Sequence, residues 1–485
     1  MWTKPMQKLL AAKIADCLDG SAEGLQRLFA FYREKNLQLD AADQHFFRSL
    51  ETSLREGTPF AEIFLRIGRE TSKSYRKKLV NNLIFNQFIA GKAKRKALCT
   101  RDNLVPNFIV VSPTMRCNLR CTGCYSGLYS KEEELSASEL DRLFAQIRGL
   151  GVYFVVISGG EPYLLKDTLL ALFKKYNDMF FLTYTNGTLI DAALAERLGK
   201  LGNVAPAISV EGWEKQTDAR RGKGTWRRIL ETMGHLRAHG VLFGASVTVT
   251  RHNLDVVTDE TFARFLMDRG IIFGWYFMFM PVGKDPMLDL VMTPEQRVGC
   301  GRRVNALRET YPLFLADFWN DGEIVGGCLA AGRQYLHVLS NGSVEPCVFA
   351  HFGIDNIRDK PLLEIVNSPF FKEIRNAFPY NSNGNLKRPC MIIDNPDVLR
   401  NAVHRHGACP GHLGSADLVD DPFTVRWIDD YARRFAELVD PEWEKMINDP
   451  QNRWHKEGQE YRELFHDPRL EDSSAVSRHK IRLSA

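Results

Sequence analysis

A regular alternation of short strands with helices between residues 108 and 280 limits the fold of this chain more than any other feature. Runs of β-branched and aromatic residues are separated by amphipathic stretches of helical length, which is typical of βαβ units and a parallel sheet. The predicted strands are Phe108–Val111, Tyr153–Ile157, Phe180–Tyr184, Ala205–Val210, Leu242–Thr248 and Ile272–Met278. Helices are expected to begin near Ser136, Lys166, Asp191, Thr225 and Asp259. This pattern predicts an α/β fold, an incomplete (β/α)6 barrel, with an open doubly wound sheet as the alternative.

The segments outside the alternation have different patterns. Apolar residues such as Leu25, Leu28 and Phe29 recur at helical spacing in the N-terminal part, and four cysteines with many turn formers mark a small module near the other end. The predicted divisions are a helical N-terminal region at 1–104, a partial barrel at 105–285, a connecting segment at 286–325, a cysteine-rich module at 326–415 and a charged helical tail at 416–485, disordered from about Glu471.

The cysteines require an explanation other than disulfides. No apolar run approaches the roughly 20 residues of a membrane span, and no signal peptide is recognisable, so a cytoplasmic location with reduced thiols is expected. Three of the ten cysteines lie within eight residues, which points to a metal. The net charge of +5 permits an anionic partner, but no nucleic-acid recognition motif is present and no nucleic-acid partner is expected.

The cysteine loop directly follows the first predicted strand. Cys117, Cys121 and Cys124 are spaced C-x3-C-x2-C, and three thiolates from one loop can hold three irons of a four-iron cubane. The fourth iron then has no protein ligand and is free to bind another molecule, as in a catalytic metal site with an open position. A structural zinc site completed by a histidine is the alternative, because thiolates suit both metals.

This spacing, followed by Tyr125, resembles the signature of the radical S-adenosylmethionine (SAM) superfamily. The resemblance continues at the ends of the next three strands, in Ser158-Gly159-Gly160-Glu161-Pro162, Thr185-Asn186-Gly187 and Ser209-Val210-Glu211-Gly212, and then in Arg220-Arg221-Gly222-Lys223-Gly224. It implies that SAM is bound by Tyr125, Gly159, Gly160, Glu161, Pro162, Asn186, Ser209 and Glu211, with Arg220 or Arg221 pairing with its carboxylate. An ordinary strand-to-helix turn at Gly160 and a solvated arginine pair are the alternative interpretations.

The resemblance also implies the cofactors and the reaction. A [4Fe–4S] cluster held by Cys117, Cys121 and Cys124 would cleave SAM reductively, and the resulting 5′-deoxyadenosyl radical would take a hydrogen atom from substrate. An external reductant such as ferredoxin or flavodoxin is expected.

A second cysteine group resembles the opening of the SPASM and twitch extensions of that superfamily. Cys328, Gly342 and Cys347 are spaced C-x13-G-x4-C, and Asn341-Gly342 favours a hairpin turn between them. The resemblance implies one auxiliary [4Fe–4S] cluster, with Cys390 and Cys409 as further ligands. Only one is expected, because the C-x2-C-x5-C-x3-C run of a full SPASM domain is absent.

Other interpretations of these cysteines remain open. The alternatives for the module are a zinc site that uses His404, His406 or His412 near Cys409, or buried cysteines without a metal. The isolated cysteines are assigned to packing; they are Cys17, Cys99 and Cys300.

The substrate is the least constrained part of the prediction. Residues 72–101 carry nine lysines and arginines and no acidic residue, and the pattern places Leu79, Val80, Leu83, Ile84 and Phe88 on one side of a helix. Such a helix either contacts an anionic membrane surface peripherally or packs on its own domain. A peptide or protein substrate is the first hypothesis, a lipid or isoprenoid chain the second, and a non-catalytic electron carrier the third.

Overall fold

The computed structural model describes residues 4–34, 41–100, 103–283, 287–412 and 414–449. The predicted disorder beyond Glu471 lies outside these residues. Within them, no helix combines the length and the apolar character that a membrane crossing requires.

The N-terminal region is helical, as predicted, with no strand in residues 4–34 or 41–100. Its helices are α1 (Lys4–Cys17), α2 (Ala22–Glu34), α3 (Ala41–Glu56), α4 (Pro59–Glu70), α5 (Lys73–Leu79), a π-helix at Val80–Gly91, and α6 (Lys92–Leu98). They enclose a small core of their own around Leu25 and Phe29. Buried Arg66 donates to the carbonyl of Ile271 at 3.0 Å, and the Tyr75 hydroxyl donates to the carbonyl of Val204 at 2.6 Å, so this region is bonded directly to the barrel.

The π-helix corrects the predicted apolar face in residues 72–101. Val80 is buried at 1% exposure, whereas Ile84 and Phe88 are 40% and 58% exposed. A π-helix bonds residue i to i+5, so each turn holds more residues than in an α-helix and positions four apart no longer lie in line. The five apolar residues therefore do not share one side.

The barrel region contains the six predicted strands, each within about two residues of its expected bounds. They are β1 (Ile109–Val111), β2 (Phe154–Ile157), β3 (Phe180–Thr185), β4 (Val204–Ser209), β5 (Gly244–Val249) and β6 (Phe273–Met278). The helices are α7 (Ala137–Gly149), α8 (Lys166–Lys175), α9 (Ala192–Leu201), α10 (Glu214–Arg221), α11 (Thr225–Ala238), α12 (Leu254–Val257) and α13 (Glu260–Asp268), with a 3-10 turn at Pro162–Leu165. Ser136 and Glu139 form the predicted capping box of α7.

Strand order distinguishes the two predicted topologies. The strands pair in parallel in the order β1-β2-β3-β4-β5-β6, as a barrel requires, with no reversal of the kind that defines a doubly wound sheet. The prediction of a partial barrel is confirmed. The sheet also continues past both of its predicted edges.

Residues 286–325 contribute more structure than a connection. They include a 3-10 turn at Leu288–Leu290, α14 (Pro294–Thr310), β7 (Phe314–Asp317) and α15 (Gly322–Val325). Strand β7 pairs in parallel with β6 and extends the barrel sheet. Sequence inspection missed β7 because it is only four residues long and lacks an alternating pattern.

The cysteine-rich module extends the opposite edge. Strands β8 (His337–Val338) and β9 (Ser343–Glu345) form the predicted hairpin, and β8 pairs in parallel with β1. The remaining elements of the module are β10 (Phe352–Gly353), β11 (Asp355–Asn356), α16 (Leu362–Val366), α17 (Pro369–Asn376), α18 (Pro396–His406) and β12 (Cys409–Pro410). The segment after it contains α19 (Asp417–Asp420) and α20 (Pro422–Asn448). The module thus closes the edge of the barrel beside the strand that leads into the cysteine loop.

Candidate functional site

A cavity of about 770 Å3 occupies the inside of the barrel and opens at the carboxyl ends of its strands. The loop that carries Cys117, Cys121 and Cys124 lines its mouth, and all three cysteines border the cavity. In sheets of this type ligands bind at the carboxyl ends of the strands. The predicted cysteine site therefore coincides with this cavity.

Backbone hydrogen bonds hold the cysteine loop in place. The Thr122 amide donates to the carbonyl of Arg220 at 2.9 Å, and the Gly127 amide donates to that of Cys124 at 3.0 Å. Gly123 has φ +62°, and a Cβ there would meet the Phe279 ring at 2.5 Å. The tight approach of the loop to β6 thus requires glycine at this position.

The sulfur atoms of the loop are surrounded by hydrogen-bond donors. Cys117 Sγ accepts from the Leu119 amide at 3.4 Å and from Asn186 Nδ2 at 3.7 Å, and Ser126 Oγ lies 3.3 Å from Cys124 Sγ. The Arg221 guanidinium lies 3.9 Å from Cys121 Sγ. Burial raises the pKa of Cys117 and Cys121, so their thiolates need these donors or a metal.

Gly159 and Gly160 pack against the start of the cysteine loop. A Cβ on Gly160 would lie 2.0 Å from the carbonyl oxygen of Arg116, and one on Gly159 would lie 2.3 Å from that of Thr114. The Gly160 amide donates to Thr114 at 3.0 Å. Both glycines line the cavity, but the close contact of two backbones explains their identity without a ligand.

Glu161 is fully buried and points away from the cavity. Its carboxylate accepts from the Asn186 amide at 2.8 Å, from Thr185 Oγ1 at 2.8 Å and from the Tyr163 amide at 3.1 Å. Burial raises its pKa to about 7. In this arrangement Glu161 positions the end of β3, where Asn186 borders the cavity and bonds to Asn118 at 2.8 Å.

Glu211 forms a buried cluster with the two candidate arginines. Its Oε1 accepts from Arg220 Nη1 at 2.8 Å and from Arg221 Nη2 at 2.5 Å, while its buried Oε2 has no hydrogen-bond partner among the described residues. The two arginines are thus largely buried and paired with Glu211, which contradicts the alternative of a solvated pair. Both arginines line the cavity, where a polar ligand would satisfy their remaining hydrogens.

The structure brings together most of the predicted SAM residues. The cavity is lined by Tyr125, Gly159, Gly160, Asn186, Ser209, Arg220 and Arg221, whereas Glu161, Pro162 and Glu211 lie behind this layer. Tyr125 Oη lies 2.9 Å from Ser158 Oγ, and burial raises its pKa to about 12, so its hydroxyl stays protonated.

Deeper in the cavity the walls are aromatic and aliphatic. Alternate residues of the strands point inward. Aromatic residues in or next to the strands line this part of the cavity, among them Phe108, Phe154, Tyr184, Trp275, Phe277 and Phe318. No aspartate, glutamate or histidine lines the cavity within the described chain. The sequence signal for this wall is the period of two in β1, β2, β3 and β6.

Three cysteines of the module lie close together beside this wall. Burial, with a further contribution from Cys328, raises the pKa of Cys347 to about 12, and burial, Asp394 and Cys328 raise that of Cys390. The Tyr335 hydroxyl lies 3.0 Å from Cys347 Sγ. Cys328 is therefore within electrostatic reach of both Cys347 and Cys390.

Cys409 and the nearby histidines do not join this group. Cys409 is exposed on β12 and is not among the main groups that act on the other three thiols. The histidines are bonded elsewhere: His404 to Asp420 at 2.9 Å, His406 to Glu373 at 2.7 Å and His412 to His351 at 2.7 Å. The three histidines proposed as zinc ligands of the module are therefore engaged by other side chains.

The donor sets fit iron–sulfur clusters better than single ions. Across the described ranges, no three cysteine, histidine or carboxylate side chains converge closely enough to hold one metal ion. A four-iron cubane is larger than one ion, so its thiolates stand farther apart. Three thiols on one loop, with donors around the sulfur atoms, suit such a cluster, and the arginines that line the cavity suit an anionic group of a ligand beside it.

Comparisons with known proteins agree with this arrangement. The model of the radical SAM superfamily matches residues 111–268, and that of SPASM, an iron–sulfur cluster-binding domain, matches residues 328–391. An AdoMet-dependent heme synthase of Methanosarcina barkeri is 26% identical over 350 residues, 66% of this chain and 96% of that protein. The mycofactocin maturase MftC of Mycobacterium ulcerans is 29% identical over 281 residues, 54% of this chain and 75% of that protein.

Solved structures show the same fold. SuiB of Streptococcus suis bound to S-adenosylmethionine superposes with a TM-score of 0.53 at 20% identity, over 68% of this chain and 87% of that one. With both domain matches in sequence order, the chain contains a radical SAM domain followed by a C-terminal SPASM domain.

Proposed function

We propose that Cys117, Cys121 and Cys124 hold the SAM-cleaving [4Fe–4S] cluster and that SAM binds between them and the strand ends. The observation that carries this proposal is the position of all three thiols on one loop at the mouth of the barrel cavity. When bound, the two cofactors supply reductive cleavage of SAM and a radical that takes a hydrogen atom from substrate. An external reductant of the ferredoxin or flavodoxin type supplies the electron for this cleavage.

The residues around the proposed SAM site have distinct roles. Asn186, held by Glu161 and Asn118, fixes one side of the SAM site, and the cluster of Glu211 with Arg220 and Arg221 forms the other. Glu211 lies behind the cavity wall and holds Arg220 and Arg221, which line it, in place. The aromatic walls exclude water from the substrate, which protects a reactive species.

Three cysteines of the module complete the proposal. Cys328, Cys347 and Cys390 hold one auxiliary cluster, and exposed Cys409 is left out of its ligand set. Burial makes these thiols poor acids, so a metal is the natural partner for their thiolates.

A peptide or protein is the first candidate substrate, and the group that reacts is apolar. Relatives named as maturases, among them the mycofactocin maturase, support the class. The aromatic wall formed by Phe108, Phe154, Trp275 and Phe277 supports an aliphatic or aromatic side chain over a positively charged one, because no carboxylate of the described residues lines the cavity.

A lipid or isoprenoid chain is the second candidate. The same wall suits a hydrocarbon chain, and exposed Ile84 and Phe88 lie in the basic segment 72–98, which favours contact with an anionic membrane surface.

Isotope transfer tests the enzyme assignment and separates the two candidates. Extract of the native host grown in deuterated medium is divided into protein and lipid fractions, and each is incubated anaerobically with reconstituted enzyme, SAM and dithionite. Deuterium in 5′-deoxyadenosine is expected with the protein fraction. Transfer from the lipid fraction alone would replace the first candidate by the second, and absence of 5′-deoxyadenosine in every incubation would overturn the assignment. The triple variant C117A/C121A/C124A is the control.

A further inference from the structure

Tyr335 lies between the barrel cavity and the auxiliary cysteines. Its ring lines the cavity, and its hydroxyl lies 3.0 Å from Cys347 Sγ on the other side. Tyr335 is 2% exposed and Cys347 is 7% exposed, so water does not compete for this contact.

Packing with the barrel fixes the Tyr335 ring. Strand β8 follows it and pairs with β1, which brings the ring against Phe108 with centroids 5.2 Å apart and planes at 11°. Phe318, which follows β7, contacts the ring edge-on at 6.4 Å. The hydroxyl is therefore aimed at Cys347 by the same strand pairing that closes the barrel.

The direction of the hydrogen bond follows from the chemistry of a ligated cysteine. A thiolate that binds iron carries no proton, so the tyrosine hydroxyl must be the donor. Hydrogen bonds to cluster sulfur atoms are among the interactions that set the reduction potential of an iron–sulfur cluster. A donor stabilises the more negative, reduced state and raises the potential.

We propose that Tyr335 is a positioning residue that links the barrel cavity to the auxiliary site, by donating a hydrogen bond to the Cys347 thiolate and so raising the reduction potential of the auxiliary cluster. This inference rests on the proposed auxiliary cluster. Because Tyr335 also lines the cavity, one residue of the cavity wall then contributes to the environment of that cluster.

The test is an anaerobic redox titration of the reconstituted full chain, followed by electron paramagnetic resonance. In Tyr335→Phe the ring and its stacking remain while the donor is lost. We expect about eight irons per chain, as in the wild type, a lower potential for the auxiliary cluster and no change for the other cluster. Tyr276→Phe is the matched control, because Tyr276 is equally buried but donates to the carbonyl of Val257 at 2.8 Å.

A second replacement tests the role of the hydroxyl even if Tyr335→Phe binds the auxiliary cluster more weakly. A fluorinated tyrosine at position 335 keeps the hydrogen bond and makes its donor stronger, so the auxiliary potential is expected to rise. The role of Tyr335 would be overturned if both variants hold about eight irons and the reduction potential of the auxiliary cluster is unchanged, or if the potentials of both clusters shift equally. Either outcome would leave the auxiliary cluster itself in place. A wild-type chain with only about four irons would overturn the auxiliary cluster as well.

Discussion

The Arg221 guanidinium bridges Glu211 and Cys121: it donates to Glu211 Oε1 at 2.5 Å and lies 3.9 Å from Cys121 Sγ. Glu211 and Arg221 side chains are 1% and 9% exposed. One cation therefore neutralises a buried carboxylate and favours the thiolate form of a candidate iron ligand.

Replacing Arg221 by Gln is expected to lower the free energy of unfolding by about 3 kcal/mol, at the lower end of the effect of breaking a buried ion pair, because Arg220 still pairs with Glu211. Loss of the positive charge also weakens cluster binding at Cys121. Urea unfolding and iron analysis measure the two effects. Arg228→Gln, on the exposed side of α11, is the control, and equal stabilities of the two variants would contradict the prediction.

The cysteine assignments predict different iron contents. C117A/C121A/C124A should lose about four irons and all 5′-deoxyadenosine formation, and C347A should lose the auxiliary irons but retain some SAM cleavage. Exposed Cys409 and buried Cys300 provide the matched controls, since Ala at either position should leave the iron content unchanged. Iron loss in C409A would restore Cys409 as a ligand.

Burial of Glu161 predicts a pH dependence of stability. Its pKa is about 7 in the folded chain against 4.5 for an unperturbed glutamate, so the unfolded chain loses this proton first as pH rises. The free energy of unfolding should fall by about 3 kcal/mol between about pH 4.5 and about pH 7 through this group. Glu161→Gln should remove that part of the slope in urea unfolding at successive pH values. Exposed Glu231→Gln should retain it, and identical slopes in both variants would refute the prediction.

A buried ion pair joins α14 to the module. Arg297 Nη2 donates to Asp394 Oδ2 at 3.0 Å, both side chains are 0% exposed, and the guanidinium lies 3.8 Å from the centre of the Phe435 ring. Arg297→Met should lower the free energy of unfolding by about 4 kcal/mol, because it leaves an uncompensated buried carboxylate.

The double variant R297M/D394L tests that cause. It should recover most of the loss, since both charges are then absent. Thermal or urea unfolding of the single and double variants measures the coupling. Additive losses would show that packing, and not the unpaired charge, accounts for the effect.

The strands and the cysteine loop were predictable because they depend on local patterns, whereas the order of the strands, which separates a barrel from a doubly wound sheet, came from their pairing. Strand bounds follow from runs of β-branched and aromatic residues, and the capping box at Ser136 follows from residues three apart. The hairpin at Gly342 was predictable for the same reason, since its turn has φ +82° at the glycine.

The π-helix at Val80–Gly91 and the short strand β7 were not predictable in this way. The first changes the residue period that a helical prediction assumes, and the second is stabilised by pairing with β6 and not by its own sequence. Likewise, the exposure of Cys409 depends on where β12 pairs, which its spacing from other cysteines does not reveal.

The motifs along the chain were enough to identify its chemistry, since they show which thiols share one loop and at which strand ends the polar residues lie. The folded arrangement was needed to see that Tyr335 faces the cavity and that Glu161 and Glu211 support it from behind. The physical reason is that a motif specifies the order of residues along the chain, whereas burial and hydrogen bonding are set by contacts between residues tens to hundreds of positions apart.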